Sequence, residues 1–117
     1  MNFERIVSRQ VVGAGAMSAV EYLPSAGAAV TVSPAATTTM RVFKSTSRPV
    51  DIEADLVNGT LTYANLIAGT QPTLSRWFLW ASGAVTSDTW QPVAQSVGDV
   101  AVIATATTST GILEVAR

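Results

Sequence analysis

The sequence of 117 residues contains no cysteine and no histidine. Without cysteine the chain has no disulfide framework, no thiolate zinc site and no cysteine nucleophile. Without histidine it has no Ser-His-Asp triad and no histidine-ligated metal. We therefore expect a protein that is not an enzyme and that carries no cofactor.

Charged residues are also scarce, at 13% of the chain with a net charge of −1. An average soluble domain has about 25%. A nucleic-acid-binding surface needs clustered Lys and Arg to neutralise phosphates, so nucleic acid is not an expected partner. A surface with so little charge promotes association, which favours coverage by other copies or by a partner protein. A neutral surface with no partner is the alternative.

Neither a signal peptide nor a membrane span is evident. The N-terminus has no basic cluster followed by an apolar stretch. The longest apolar-leaning run, residues 11–32, is interrupted by Ser18, Glu21, Pro24 and Ser25, and a membrane helix needs about 20 predominantly apolar residues. We expect no membrane contact.

The residues that are abundant favour β-structure. There are 18 alanines, 15 threonines, 15 valines and 11 serines, and the β-branched Thr and Val fit a pleated sheet. Turn residues separate short apolar runs, which predicts about 8–10 short antiparallel strands. We expect one all-β domain over residues 1–117, a sandwich or small barrel. The predicted strands are 3–12, 28–33, 37–45, 50–57, 60–67, 76–81, 89–95, 99–107 and 111–116.

One hairpin has a predicted register. Asn58-Gly59 is a favoured pair for a two-residue type I′ turn, in which both positions need a positive φ. The turn would join strands 50–57 and 60–67 with their apolar residues on one face. The best helical candidate is residues 14–23. The predicted core residues are Ile52, Leu56, Leu61, Val100, Val102 and Ile112.

Asp51, Glu53 and Asp55 would form an acidic stripe along the first strand of this hairpin. Carboxylates in a row are compatible with a Ca²⁺ site, but they also occur on a solvated strand face, where they block edge-to-edge pairing. We expect the solvated face and no metal site. A small hydrolase with Asp51, Glu53 or Asp88 as acid and base is a rival hypothesis, and it requires a carboxyl group with a raised pKa in a pocket.

The segment Trp77-Phe78-Leu79-Trp80 is the main aromatic cluster, and Trp90 follows it. On a strand, Trp77 and Leu79 would point one way and Phe78 and Trp80 the other, so both faces need cover. Aromatic residues dominate cores and interfaces alike, and rings of this kind also stack on sugars. Core, protein interface and carbohydrate platform all remain open. The predicted interface residues are Phe3, Ile6, Val7, Trp77, Phe78, Trp80 and Trp90.

Stretches such as residues 30–38 and 98–105, rich in Ala, Thr, Val and Ser, resemble the small structural proteins of tailed-bacteriophage virions. The chain is most similar in composition to head decoration (cement) proteins. That resemblance implies a homo-oligomer, often a trimer, that clamps the major capsid protein lattice in the virion. Residues 3–7 would then add a strand to a neighbour's sheet. A tail, fibre or baseplate subunit and a carbohydrate-binding module are the alternatives.

Overall fold

The strands and helices are taken from a computed structural model, which describes residues 7–23, 28–80, 84–87, 89–92 and 100–116. Within these residues the chain forms nine strands and two short helices, which confirms the predicted all-β class. The bounds are β1 Val7–Val12, β2 Ala16–Met17, β3 Glu21–Leu23, β4 Ala29–Pro34, β5 Met40–Ser45, α1 Pro49–Asn58, α2 Tyr63–Ala68, β6 Phe78–Leu79, β7 Thr89–Pro92, β8 Val100–Ala106 and β9 Gly111–Ala116.

The strands form two antiparallel sheets. Sheet A has the order β1-β9-β4-β7. In sheet B, β8 pairs with β2 and β3 on one side and with β5 on the other, and β6 follows β5. Every residue of β8 is buried, as expected for a central strand that is covered on both faces.

Two apolar clusters divide the molecule into three layers. Val102 and Ala104 of β8 pack between the sheets with residues of β4, β5 and β9. The alternate residues Ala101 and Ile103 point to the other face of sheet B and pack against α1 and α2. This alternation is the period of two that a strand imposes. Sheet A, sheet B and the helix pair are therefore stacked in that order.

The predicted hairpin over residues 50–67 is wrong, because this segment forms α1 and α2. Pro49 stands in the first turn of α1, where its missing N–H costs nothing. Gly59 ends the helix with φ 74°, and its N–H and that of Thr60 donate to the carbonyls of Leu56 and Asp55. Asn-Gly therefore serves as a helix C-terminus here, since the left-handed conformation that a type I′ turn needs also ends helices.

Residues 14–23 form β2 and β3, so the predicted helix is also wrong. Gly15 turns the chain with φ 64° and its N–H donates to the carbonyls of Ala106 and Thr107. Ser18 N–H donates to the Ala104 carbonyl at 2.7 Å, and the Ser18 hydroxyl accepts from Ala104 N–H at 2.9 Å. Pairing with the buried strand β8 outweighs the weak helical pattern of small residues.

Four of the six predicted core residues are buried, namely Ile52, Leu61, Val100 and Val102. The other two are only half-buried. Leu56 packs at the margin of the helix-side cluster. Ile112 is in β9, where the buried residues are Gly111, Leu113 and Val115, so its position in the alternation directs it away from the inter-sheet core.

Candidate functional site

A groove lies between α2 and β6. We define this α2–β6 groove as residues 65–71, residues 77–79, Arg41 and Phe43, which line a cavity of about 310 Å³. Leu66, Phe43 and Trp77 are buried beneath it. Phe78 and Leu79 are 61% and 47% exposed beside it. The groove therefore has a packed apolar base and an exposed apolar rim.

The loop between α2 and β6 is held in place by the side chain of Gln71. Its Nε2 donates to the Trp77 carbonyl at 2.7 Å, and its Oε1 accepts from Trp77 N–H at 2.8 Å. This paired contact satisfies the same two backbone groups that a neighbouring strand would. The chain therefore enters β6 in a fixed orientation, with Phe78 and Leu79 directed outward.

Asp55 fixes the same loop from inside the protein. This fully buried residue of α1 accepts at Oδ2 from the Ser75 N–H at 2.7 Å and from the Ser75 hydroxyl at 2.6 Å. Its Oδ1 accepts from the Thr60 hydroxyl at 2.9 Å and from Leu74 N–H at 3.2 Å. Burial raises the pKa of Asp55, but these hydrogen bonds outweigh burial and leave its pKa below the usual value of 3.8. Asp55 is therefore a charged acceptor whose hydrogen-bond donors are all uncharged, and Leu74 and Ser75 among them belong to the loop.

The Asp55–Ser75 pair has the composition of a carboxylate that activates a hydroxyl, but its geometry is structural. Ser75 is fully buried, and its Oγ accepts from Trp77 Nε1 at 3.0 Å while donating to Asp55. A substrate has no access to this hydroxyl. The pair instead connects α1 to the indole of Trp77 at the base of the groove.

Trp77 and Trp80 were predicted to be interface residues, but the structure buries both in the core of this chain. Trp77 is 3% exposed in the helix-side cluster, and Trp80 is 8% exposed in the inter-sheet cluster. The two indoles enter different layers, as the predicted alternation requires for residues three apart, but Phe78 and Leu79 of strand β6 are both exposed instead of covered. Neither ring is available to stack on a sugar. Of the four residues 77–80, Phe78 and Leu79 form the exposed surface.

Two cations flank Phe78. Arg41 is half-buried and is the one charged residue among the described residues that line the groove. Lys44 is exposed and lies over the Trp80 ring, with Nζ 5.2 Å from the ring centroid. It lines a second cavity of about 200 Å³, which Phe78 also borders. Phe78 thus stands between two recesses, each with one positive charge.

The predicted acidic stripe does not form, because a helix places its three members at different angles. Asp51 pairs with Arg48 at 3.2 Å, and Glu53 accepts from the Tyr22 hydroxyl at 2.7 Å. Burial and the hydrogen bond and charge of Glu53 raise the pKa of Tyr22 to about 12. Within the described residues there is no cluster of three or more carboxylates that could hold a metal ion. Asp88 of the hydrolase hypothesis lies outside the described residues.

The outer face of sheet A is a second exposed surface. Val11 and Val7 of the edge strand β1 are 71% and 48% exposed, and between them Arg9 pairs with Glu114 of β9 at 3.4 Å. The register places Val11 opposite Ile112. Among the predicted interface residues, Val7 is therefore at the surface. Phe3, Ile6 and the side chain of Trp90 lie outside the described part, although the Trp90 backbone pairs with Thr31.

Sequence reasoning identified Phe78 but missed most of the groove wall. Ile67, which is 40% exposed, and Gln71 belong to α2 and its loop, and α2 was interpreted as a strand. A signal for this helix was present. Thr62 accepts from Asn65 N–H at 3.2 Å as its N-cap, and Gly69 ends it at φ 77°, so a cap residue and a glycine bracket the segment.

Comparison with protein-family models, curated proteins and solved structures found no match to this chain. No helix in the described ranges is long and apolar enough to cross a bilayer.

Proposed function

We propose that this chain is a structural protein of a virion that binds an assembled protein lattice in a decoration role. The observation that carries the proposal is the exposed pair Phe78 and Leu79 beside the α2–β6 groove. Protein interfaces concentrate their binding energy in a few well-packed anchor residues, and aromatic residues are enriched among interface residues. The anchors need little ordering on binding here, because Gln71 and Asp55 already hold the loop that precedes them.

The chemistry of the groove supports binding over catalysis. Its base is apolar, the side-chain amide of Gln71 is occupied by the backbone of Trp77, and the Ser75 hydroxyl and Asp55 carboxylate are buried beneath it. A protein that binds the assembled lattice and not the free subunits stabilises the lattice by mass action. Such a protein needs a preformed docking surface and no reactive group.

Self-association is the second part of the proposal, with a trimer as the favoured state. No described strand pairs with the free edge of β1, and the adjoining outer face of sheet A carries the exposed Val7 and Val11. An edge strand of this kind can accept a strand from another copy. Phe3 and Ile6 precede β1 directly and would belong to that contact. The groove lies in other layers and stays accessible.

The test starts with particles of the virus that encodes the chain. Mass spectrometry of purified virions is expected to find the protein in a fixed ratio to the major capsid protein, and its absence from the particles would overturn the proposal. Detection in detached tails or fibres but not in heads would assign it instead to the tail, fibre or baseplate class.

Rebinding then tests the groove. Particles stripped of the protein are expected to bind the wild-type chain and Leu74→Ser equally, and Leu79→Ser at least about tenfold more weakly. Leu74 is a matched control, because it is 49% exposed against 47% for Leu79 and does not line the groove. Equal binding of both variants would exclude the groove as the docking surface.

A further inference from the structure

We propose that the α2–β6 groove binds an apolar, carboxylate-bearing segment of a partner protein, and that Arg41 pairs with the carboxylate. This inference rests on the proposed protein-binding function and names the chemistry of the occupant. It starts from Arg41, whose guanidinium is the group in the groove with unused donors. Gln71 donates to Trp77, and Asn65 Nδ2 donates to the Thr60 carbonyl at 2.9 Å.

Arg41 differs in this respect from the other described arginines. Arg9 pairs with Glu114 and Arg48 pairs with Asp51, while Arg76 donates from one nitrogen to the carbonyls of Pro72 and Ser75 at 2.8 and 2.9 Å. Within the described residues, the side chain of Arg41 has no hydrogen bond and no ion pair. A half-buried cation beside apolar side chains loses hydration without compensation, and a carboxylate in the groove would restore it.

The charges of the described chain favour a partner protein over a second copy as the occupant. Each described carboxylate already has a partner within the chain: Glu21 with Ser8 and Gln10, Asp51 with Arg48, Glu53 with Tyr22, Asp55 with Ser75, and Glu114 with Arg9. A second copy that used one of these described carboxylates would have to break its contact to reach Arg41. A partner with an unpaired carboxylate would not.

The apolar part of the occupant follows from the other lining residues. Phe78, Leu79 and Ile67 are exposed at the rim over a buried Trp77. No described strand pairs with the outer edge of β6, so an extended segment can also pair with the backbone there. An extended segment that carries both apolar and acidic side chains can offer both kinds of contact. Lys44, on the far side of Phe78, adds to the positive potential.

The probe is a blocked six-residue peptide of alternating valine and glutamate, compared with the same peptide in which glutamine replaces glutamate. Titrations are followed by tryptophan fluorescence and by NMR shifts of residues 65–79. The glutamate peptide is expected to bind about tenfold more tightly, as one charge-assisted contact implies. Arg41→Gln is expected to abolish this preference, Arg41→Lys to retain part of it, and Arg48→Gln to leave it unchanged. Thermal melts confirm that each variant is folded.

Equal affinity of the two peptides, or a glutamate preference that survives in Arg41→Gln, would overturn the inference. If octanoate binds through Arg41 and neither peptide binds, the occupant of the groove is a small amphiphile and not a partner protein. Self-association that Leu79→Ser abolishes would make a second copy the occupant. Absence of the chain from virions would overturn the proposed decoration role while leaving the peptide result intact, so the two failures are distinguishable.

Discussion

Among single residues, Asp55 connects the stability of the protein most directly to the shape of its groove. A buried charge is usually paired with an opposite charge. Asp55 is instead held by the Ser75 N–H and hydroxyl, the Thr60 hydroxyl and the Leu74 N–H. Three of these donors belong to the loop that leads to Trp77. Protonation of Asp55 would therefore weaken both the fold and the orientation of the exposed rim.

The first prediction concerns the pH dependence of stability. The pKa of Asp55 is below 3.8 in the folded protein, so its contribution is fully present above the unfolded pKa of about 3.9 and is lost as the pH falls through the folded pKa. Asp55→Asn is expected to lower the free energy of unfolding at pH 7 by about 2–4 kcal/mol. Urea denaturation between pH 7 and pH 2 measures both effects.

The control for this prediction is Asp51→Asn on the same helix. Asp51 pairs with the exposed Arg48 at 3.2 Å, and surface pairs contribute about 0–1 kcal/mol. The difference between the wild-type protein and Asp55→Asn is expected to shrink below pH 4, whereas Asp51→Asn stays close to wild type throughout. An Asp55→Asn variant as stable as Asp51→Asn would contradict the role assigned to Asp55.

At the scale of elements, sequence patterns predicted the long strands and failed at the helices. β8 and β9 follow from β-branched runs bounded by glycine and serine. Residues 50–57 contain apolar side chains at every second position, but Ile52 and Leu56 are also four residues apart, which is a helical spacing. The choice depends on tertiary contact, because fully buried Ile52 packs in the cluster that contains Phe43 and Ile103 of sheet B. No local pattern contains that contact of α1, whereas α2 did have a local signal in the Thr62 cap and Gly69 that bracket it.

The second prediction distinguishes the helix end from a hairpin turn. Asn58 is exposed in the last helical position, so Asn58→Ala is expected to change the free energy of unfolding by less than about 0.5 kcal/mol. Gly59 has φ 74°, and Gly59→Ala is expected to cost about 1–2 kcal/mol from strain alone, since nothing lies within 4 Å of the added Cβ. Thermal and urea unfolding give both values.

Gly13→Ala is the matched glycine control for this comparison. Its added Cβ would meet the Ala16 Cβ at 3.8 Å, which is ordinary van der Waals contact, and its φ is not positive. Gly13→Ala is therefore expected to change the free energy of unfolding only slightly. Comparable losses in Asn58→Ala and Gly59→Ala would indicate a type I′ turn, in which both positions need a positive φ, and would contradict the helical assignment.

At the scale of the whole molecule, the two exposed apolar surfaces belong to different layers. The α2–β6 groove is formed by the helix side and the β6 edge of sheet B, and the Val7–Val11 surface belongs to the outer face of sheet A. The helices cover the outer face of sheet B, whereas no described element covers that of sheet A. One surface can therefore join copies of the chain while the other binds a partner. In the proposed function, the sheet A surface would join copies of the chain and the groove would bind the lattice.

The last prediction is that copies associate through sheet A. Light scattering over a range of concentrations is expected to show a trimer for the wild-type chain. Val11→Asp is expected to raise the concentration of half-dissociation at least about tenfold, because it places an unpaired charge in an apolar contact. Val57→Asp is the control, since Val57 is 85% exposed on α1. This variant is expected to leave the trimer intact. Leu79→Ser is also expected to leave it intact, because the groove is separate. A monomer at every concentration would exclude self-association through this face and leave the groove as the surface through which the chain joins an assembly.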